Sequence, residues 1–458
     1  MALVLVVTIM RTAIGWIILA ALLFGAQAFL ACSDTTSSSA VIEIGGPSKT
    51  DTIAVEEPEI VVPDTITKPD TTTIEEPVPT DTTSKPDTTA TQDTAEADTT
   101  PHYAVTEDSC GLHFILSENE IASSYLYLNY PADSFLTRFE IGDIVTVAVV
   151  GYDTLEMPVA TTTSDVPIAG FVLSAIKGYD NLYIGVHNGK MPQILGISAE
   201  SAPIEVIVSM KEKGGYLFGL EMNYAQYMDT YTESYPELSI EEFANFREVR
   251  TTGIGQHKLY RSSSPIDHSL GRNYYVDSLA KEAGVATFIN LADSENSATS
   301  YKGFESTYYS TQNIVFLAMP VEFYSKPFQE RLVIGYRYMA QHEGPYLVHC
   351  TYGMDRTGFT IAVLEALMGA KTEEIQADYA KTFSNYYNVR DGKQITYNEQ
   401  QVGFFKSVVI RNLRAVYHAE GINVPDSADV DWASATEKYL EKLGMTQEEI
   451  SALKDRLK

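Results

Sequence analysis

The sequence of 458 residues contains little cysteine and few basic side chains. Its three cysteines, Cys32, Cys110 and Cys350, cannot form a disulfide framework, so the fold must rest on a buried core. The 32 lysines and arginines stand against 61 aspartates and glutamates, which gives a formal net charge of −29. Phosphate backbones repel a chain of this charge, so nucleic acid is not an expected partner. No His or Cys cluster has metal-ligand spacing, so neither a metal nor a cofactor is expected.

The segment from Met10 to Cys32, MRTAIGWIILAALLFGAQAFLAC, has the pattern of an export signal. Its ending, FLAC, resembles the lipobox of bacterial lipoproteins, with Phe29 where leucine is usual. A plain secretory signal or an anchor helix is the alternative. We expect translation to start at Met10, residues 1–32 to be the signal peptide, and Cys32 to carry the lipid. This predicts a lipoprotein anchored to a membrane of the bacterial cell envelope, facing the periplasm or the exterior.

Residues 33–104 are built mainly from Thr, Ser, Pro, Asp and Glu, with a rough duplication of EEPEIVVPDTITKPDTTT in EEPVPTDTTSKPDTTA. This composition cannot bury a core and predicts a disordered tether. Residues 105–220 predict a small all-β domain, a barrel or a sandwich. Its β-branched and aromatic runs, DIVTVAVV, NLYIGVHNG and PIEVIVSM, are bounded by Gly, Asp and Asn. Cys110 is expected to pack in that domain, which shows no set of residues that would carry chemistry.

Residues 236–458 alternate between strand-like and helix-like patterns, which predicts an α/β domain with a central sheet flanked by helices. Strands are expected within 285–292, at 313–321 and at 345–349. The predicted helices occupy 239–249, 274–284, 327–344, 357–370, 372–387, 398–419 and 433–457. Ser239 is expected to cap the first, Gly284 and Gly344 to close the second and third, and TQEE at 446–449 matches a capping box.

The stretch HCTYGMDRTG, residues 349–358, combines a strand end, a cysteine and a helix start. Residues 350–356 form what we call the cysteine loop. Backbone N–H groups and the helix dipole at such a site favour an anion, so they favour Cys350 as a thiolate and can hold a phosphoryl group. The Arg356 guanidinium can grip two phosphate oxygens. The loop therefore permits in-line attack of sulfur on phosphorus, with Gly353 allowing close approach and Thr357 able to donate to the sulfur.

This segment resembles the signature of the cysteine-dependent protein tyrosine phosphatases, His-Cys-x5-Arg-Thr-Gly. The ending Asp355-Arg356-Thr357-Gly358 resembles the bacterial branch that includes phosphoinositide-active members. NFREV at 245–249 and LYRSSSP at 259–265 resemble two further segments of that branch. The resemblance covers residues 243–458. It implies a phosphocysteine intermediate, substrate contacts from Thr351, Tyr352, Gly353, Met354, Thr357 and Gly358, and a role for Arg261 in holding substrate or bracing the loop. His349 is expected to orient the cysteine.

The general acid is left open between three carboxylates. In many relatives it lies on a loop before the cysteine, and there Glu322 in MPVEFYSKPF is the available acid. Some phosphoinositide-active relatives are thought to use the position of Asp355. These two rank equally, and Asp293 in NLADSE ranks behind them. Each also has a plain structural interpretation, as a solvated side chain, a brace or a turn residue.

The sequence departs from the family pattern at two positions, and the first of them bears on the substrate. Many relatives carry lysine at Met354, and Glu248 stands where aspartate is usual. Without that lysine a singly phosphorylated ligand is favoured over inositol polyphosphates. The sequence therefore predicts a phosphatase acting on a phosphorylated protein or a small phosphoester. Two alternatives stay open: an inositol phosphate or phosphoinositide phosphatase on the same loop, and a catalytically silent surface module that binds phosphate.

Overall fold

The computed structural model describes residues 105–458 except 228–237, 388, 391, 392, 395, 426 and 428. These described residues belong to one compact unit and contain two separate sheets. We call residues 105–212 the β half and residues 238–458 the α/β half. The expected signal peptide, the lipidation residue Cys32 and the expected tether lie outside the described residues.

The β half is built on one eight-stranded sheet in the order β1-β2-β8-β4-β5-β6-β7-β3. Neighbouring strands are antiparallel, apart from the parallel pair β5 and β6. Every second residue of β4 faces the core, because side chains alternate along a strand, and these are valines. The strands are β1 Thr106–Asp108, β2 Gly111–Leu116, β3 Leu126–Leu128, β4 Ile144–Val149, β5 Asp153–Ala160, β6 Phe171–Ser174, β7 Leu182–Val186 and β8 Ile204–Glu212.

The α/β half contains a five-stranded sheet in the order β12-β11-β13-β10-β9. Its strands are parallel except for β9, which pairs antiparallel with β10. Successive residues of the central strand enter different cores: Leu347 packs on one face and Val348 on the other. The strands are β9 Arg247–Glu248, β10 Leu259–Ser262, β11 Thr287–Asn290, β12 Asn313–Phe316 and β13 Tyr346–His349, and a separate hairpin joins β14 Val389–Arg390 to β15 Lys393–Gln394.

Helices cover both faces of the five-stranded sheet, as its doubly buried apolar strands require. They are α1 Ala132–Phe135, α2 Met191–Leu195, α3 Leu217–Tyr227, α4 Ile240–Phe243, α5 Asn273–Glu282, α6 Glu295–Thr299, α7 Lys326–Gln341, α8 Asp355–Leu367, α9 Thr372–Tyr387, α10 Glu399–Ala419, α11 Trp432–Lys442 and α12 Gln447–Leu457. The first two lie in the β half, and α3 follows it. The predicted α/β class, with a central sheet flanked by helices, is confirmed.

Several local predictions need correction. The single helix expected at 433–457 is two helices. Helix α11 ends at Lys442, and the Thr446 side chain caps the start of α12. Helix α7 ends at Gln341 with His342 as its C-cap, and is not closed by Gly344. Ser239 does cap a helix, although that helix ends at Phe243. Cys110 is exposed at the turn between β1 and β2, where its N–H donates to Asp108, and does not pack in a core.

The β half and the α/β half are in direct contact. In the segment that follows the β half, Tyr216 lies with its ring 5.7 Å from that of Phe404 on α10. Farther along α10, Nε2 of His418 lies 2.9 Å from a carboxylate oxygen of Asp153 on β5. Within the described ranges no helix is long and apolar enough to cross a membrane.

Candidate active site

Cys350 lies directly after β13, the middle strand of the parallel sheet. The carboxyl ends of β10, β11 and β13 are level there, because His349 pairs with both Ser262 and Asn290. Ligands of α/β sheets bind outside this edge. The cysteine is 3 % exposed, and helix α8 begins at Asp355, on the far side of the loop.

The carbonyl groups of the cysteine loop are held on its outer side. The N–H of Ser264 donates to the Thr351 carbonyl at 3.0 Å. The Tyr386 hydroxyl donates to the Tyr352 carbonyl at 2.5 Å. Nδ2 of Asn245 lies 3.2 Å from that oxygen and 3.3 Å from the Gly353 carbonyl. A trans peptide plane carries its N–H opposite its C=O, so the N–H groups of residues 352–354 point to the other side. Such a row of inward N–H groups is an anion-binding concavity.

Two glycines permit this loop to pack closely. Gly353 has a φ of 69°, and a Cβ there would lie 2.2 Å from the carbonyl oxygen of Ser262. Gly358, in the first turn of α8, faces the ring of Tyr379, 2.5 Å from where a Cβ would be. Any larger residue at either position would push the loop away from β10 or from α9.

Arg261 lies beneath the loop and is fully buried. One of its Nη atoms donates to the Gly353 carbonyl at 3.0 Å, and the other forms an ion pair with Asp378. Arg247 joins the same carboxylate through Nε at 2.8 Å. Burial alone would raise the pKa of Asp378, but Arg247 and Arg261 together hold it below its usual value. Of the two roles expected for Arg261, this geometry matches the brace.

The side chain of Arg356 is oriented by carbonyl groups of neighbouring loops. One Nη atom donates to the Met319 carbonyl at 3.1 Å and lies 3.5 Å from that of Leu291. The guanidinium is half-buried, which places a cation beside the cysteine loop. Met354 is buried, and the Tyr387 hydroxyl lies 4.0 Å from its sulfur.

A polar chain runs behind the cysteine. Nε2 of His349 lies 3.2 Å from the Tyr309 hydroxyl, which accepts from Asn290 at 3.0 Å. Asn290 also donates to Asp293 at 3.1 Å. Burial lowers the pKa of His349 to about 3, so the imidazole is neutral and cannot act as a cationic partner for the thiolate. The Thr357 hydroxyl is buried and has no hydrogen-bond partner among the described residues.

The three carboxylates considered as general acid differ in their surroundings. Burial raises the pKa of Asp355, with Arg356 and then His187 opposing that shift. Burial also raises the pKa of Asp293. Its carboxylate accepts a hydrogen bond from Asn290, which lies outside the cysteine loop. Glu322 is exposed, and its carboxylate makes no hydrogen bond or ion pair to a described residue. Among these, Asp355 combines a raised pKa with a place in the cysteine loop.

Several groups at this site were not predicted from the sequence. Asp378, Tyr386 and His187 carry no local motif, and their roles arise only when distant segments meet. Asn245 lies in the NFREV segment, which the resemblance singles out. That segment does not predict that the Asn245 side chain braces the cysteine loop. In the described part of the chain, no group of three or more His, Cys, Asp or Glu side chains is arranged to hold a metal ion.

Residues 238–458 match the model of a tyrosine phosphatase family. No curated protein matches the chain. Among solved structures, an uncharacterized conserved protein from Thermotoga maritima is 21% identical, with a TM-score of 0.19, over 21% of this chain and only 36% of that one. The core catalytic domain of the PP-IP phosphatase SIW14 from S. cerevisiae is 17% identical, with a TM-score of 0.23, over 38% of this chain and 93% of that one. A DUF442 protein from Shewanella putrefaciens CN-32 is 19% identical, with a TM-score of 0.20, over 38% of this chain and 99% of that one.

Proposed function

We propose that the α/β half is a phosphomonoester hydrolase of the tyrosine phosphatase type. The observation that carries this is the cysteine loop, where the carbonyl groups of residues 351–353 accept hydrogen bonds on the outer side, so that the N–H groups of residues 352–354 point to the opposite side. The match of residues 238–458 to a tyrosine phosphatase family supports the same chemistry.

The reaction would proceed in two steps. The thiolate of Cys350 attacks phosphorus in line, the S–P bond forms, and the P–O ester bond breaks. Arg356 and the loop N–H groups bind the three equatorial oxygens, whose charge is spread in the transition state. Asp355 donates its proton to the departing oxygen, since its raised pKa keeps that proton to a higher pH than an ordinary aspartate does. Asp355 then takes a proton from water, which cleaves the S–P bond and releases phosphate and the thiolate.

The experiment that tests this is hydrolysis of para-nitrophenyl phosphate by the full-length reduced chain. Cys350→Ser and Arg356→Ala are expected to lose nearly all turnover while keeping the parent's circular dichroism and melting temperature. Acid trapping of radiolabelled phosphate on the parent, and its absence in Cys350→Ser, would identify the intermediate. A folded, reduced parent without turnover would contradict the proposal and leave a silent phosphate-binding module.

An inositol phosphate phosphatase is the second candidate on the same loop. The buried Met354, where a lysine would add charge beside the phosphate, disfavours it. Comparing kcat/KM for a phosphotyrosine peptide with that for an inositol polyphosphate decides between them.

Export with a lipid on Cys32 also stays a proposal. Metabolic labelling with palmitate, which Cys32→Ala should abolish, tests it separately.

A further inference from the structure

A cavity of about 230 Å³ lies between the cysteine loop and the β half. Tyr352, Met354 and Asp355 line it from the cysteine loop. Ile168 and His187 line it from the β half. The two halves therefore enclose one space that is lined by three side chains of the cysteine loop, one of which, Asp355, is also the first residue of α8.

His187, just after β7, is held in a defined orientation toward this space. Its Nδ1 lies 2.6 Å from the Val166 carbonyl oxygen, so Nδ1 donates the hydrogen bond and Nε2 is the atom left to accept or carry a proton. Among the influences on the pKa of Asp355, a charge on His187 is one that lowers it, after burial and Arg356. The His187 imidazole and the Asp355 side chain thus line the same cavity.

The β half also packs against the loop that precedes α7. The Tyr324 hydroxyl donates to the Ala169 carbonyl at 3.0 Å, and the Tyr324 ring lies 6.4 Å from that of Phe171. Ala169 belongs to the same buried cluster as Cys350 and Met354. These contacts fix the segment that carries Ile168 in front of the cysteine loop, so the wall it forms is part of the packed structure.

The size and chemistry of the cavity limit what it can hold. An apolar cavity of about 150 Å³ accommodates benzene, so about 230 Å³ suits one substituted aromatic ring. Its described lining includes the rings of Tyr379, Phe383 and Phe405. Neither lysine nor arginine is among the described residues that line it, so it offers little to a second phosphate.

We propose that the β half forms the outer wall of the substrate site, with the leaving group of an aryl phosphate lying against Ile168 and His187 while its phosphate occupies the cysteine loop. This rests on the phosphatase function proposed above. The β half then sets which leaving groups are accepted, and His187 is a specificity-determining residue. No covalent step is added to the reaction.

The test compares two aryl phosphates of different size, para-nitrophenyl phosphate and 1-naphthyl phosphate, on the full-length chain. Ile168→Trp fills the cavity from the β half and is expected to raise KM for both, with 1-naphthyl phosphate affected about tenfold or more. Ile168→Ala enlarges the cavity and should shift the kcat/KM ratio toward 1-naphthyl phosphate. His187→Gln should raise KM for both substrates. Inhibition by orthophosphate, which needs only the cysteine loop, should change by less than about twofold in all three.

Matched controls lie in the β half away from the cavity. Val150→Trp introduces the same indole at an exposed position just after β4, and His113→Gln removes an imidazole that pairs with Asp108 and Glu205. Both should keep the parent's KM ratio. If the parent is active and both Ile168 variants keep its kcat/KM ratio for the two substrates, the β half does not form a wall of the substrate site. The proposed phosphatase function would be unaffected by that result. A parent that hydrolyses neither substrate would overturn the proposed function, and the wall with it.

Discussion

The two halves of the described unit bury charge very differently. In the α/β half, the Arg261 and Arg272 side chains are each at most 2 % exposed. In the described β half the buried charged side chain is Asp143, whose carboxylate accepts backbone N–H groups of Glu140 and Gly214. Burying a charged side chain is costly unless the charge is paired. Buried charges are therefore expected where they hold another segment of the chain in place. In this chain that is the cysteine loop, whereas the β half rests on an ordinary apolar core.

The largest expected effect is on the buried brace of the α/β half. Arg261→Met should lower the free energy of unfolding by about 3–5 kcal/mol, because it leaves a buried carboxylate short of a partner and the Gly353 carbonyl without its donor. Urea unfolding followed by circular dichroism measures this. Turnover should fall with it, since the loop loses a support. A loss of stability below about 1 kcal/mol would mean that Arg247 alone holds Asp378.

The second effect concerns the apolar core of the β half. Leu182→Ala, at a fully buried position of β7, should cost about 3 kcal/mol, because it removes buried methyl groups and leaves a cavity. If the two halves unfold together, it should shift the same urea transition as Arg261→Met. Two separate transitions, with Leu182→Ala moving one of them, would show that the halves fold independently.

The third effect is on the proposed chemistry. Because burial raises the pKa of Asp355, the carboxyl is protonated below that pKa and activity should fall as pH rises through it. Asp355→Asn should lower kcat about 100-fold for a phosphate ester with a poor leaving group and abolish that alkaline fall. Para-nitrophenyl phosphate, whose leaving group needs little protonation, should be affected far less. Glu322→Gln is the matched control, and a larger loss there would transfer the role of acid to Glu322.

Much of the α/β half could be predicted from its sequence because its chemistry lies in one contiguous segment. Cys350 and Arg356 stand within ten residues of a strand end and a helix start, so pattern and function coincide. The brace could not be predicted, because Asp378 is 131 residues from Arg247 and only folding brings them together. His187 is a similar case, since an isolated histidine in a strand-rich segment carries no signal of its own. The capping box of Thr446 and Glu449 marks the break between α11 and α12 in the sequence itself, within the range for which the apolar pattern predicts one helix.

The smallest expected effect tests the surface charges of the β half. Hydrogen bonds to Glu205 and Asp108 raise the pKa of His113 above its ordinary value of 6.5. A histidine with a raised folded-state pKa contributes stability that is fully present below the unfolded value and is lost as pH rises through the folded value. His113→Gln should therefore lower the melting temperature slightly at about pH 5.5 and not at about pH 9. The difference should also shrink in high salt, since exposed charges are screened. A difference of the same size at both pH values would instead indicate lost packing, and the β half would then depend on this side chain for shape, with its charge contributing nothing.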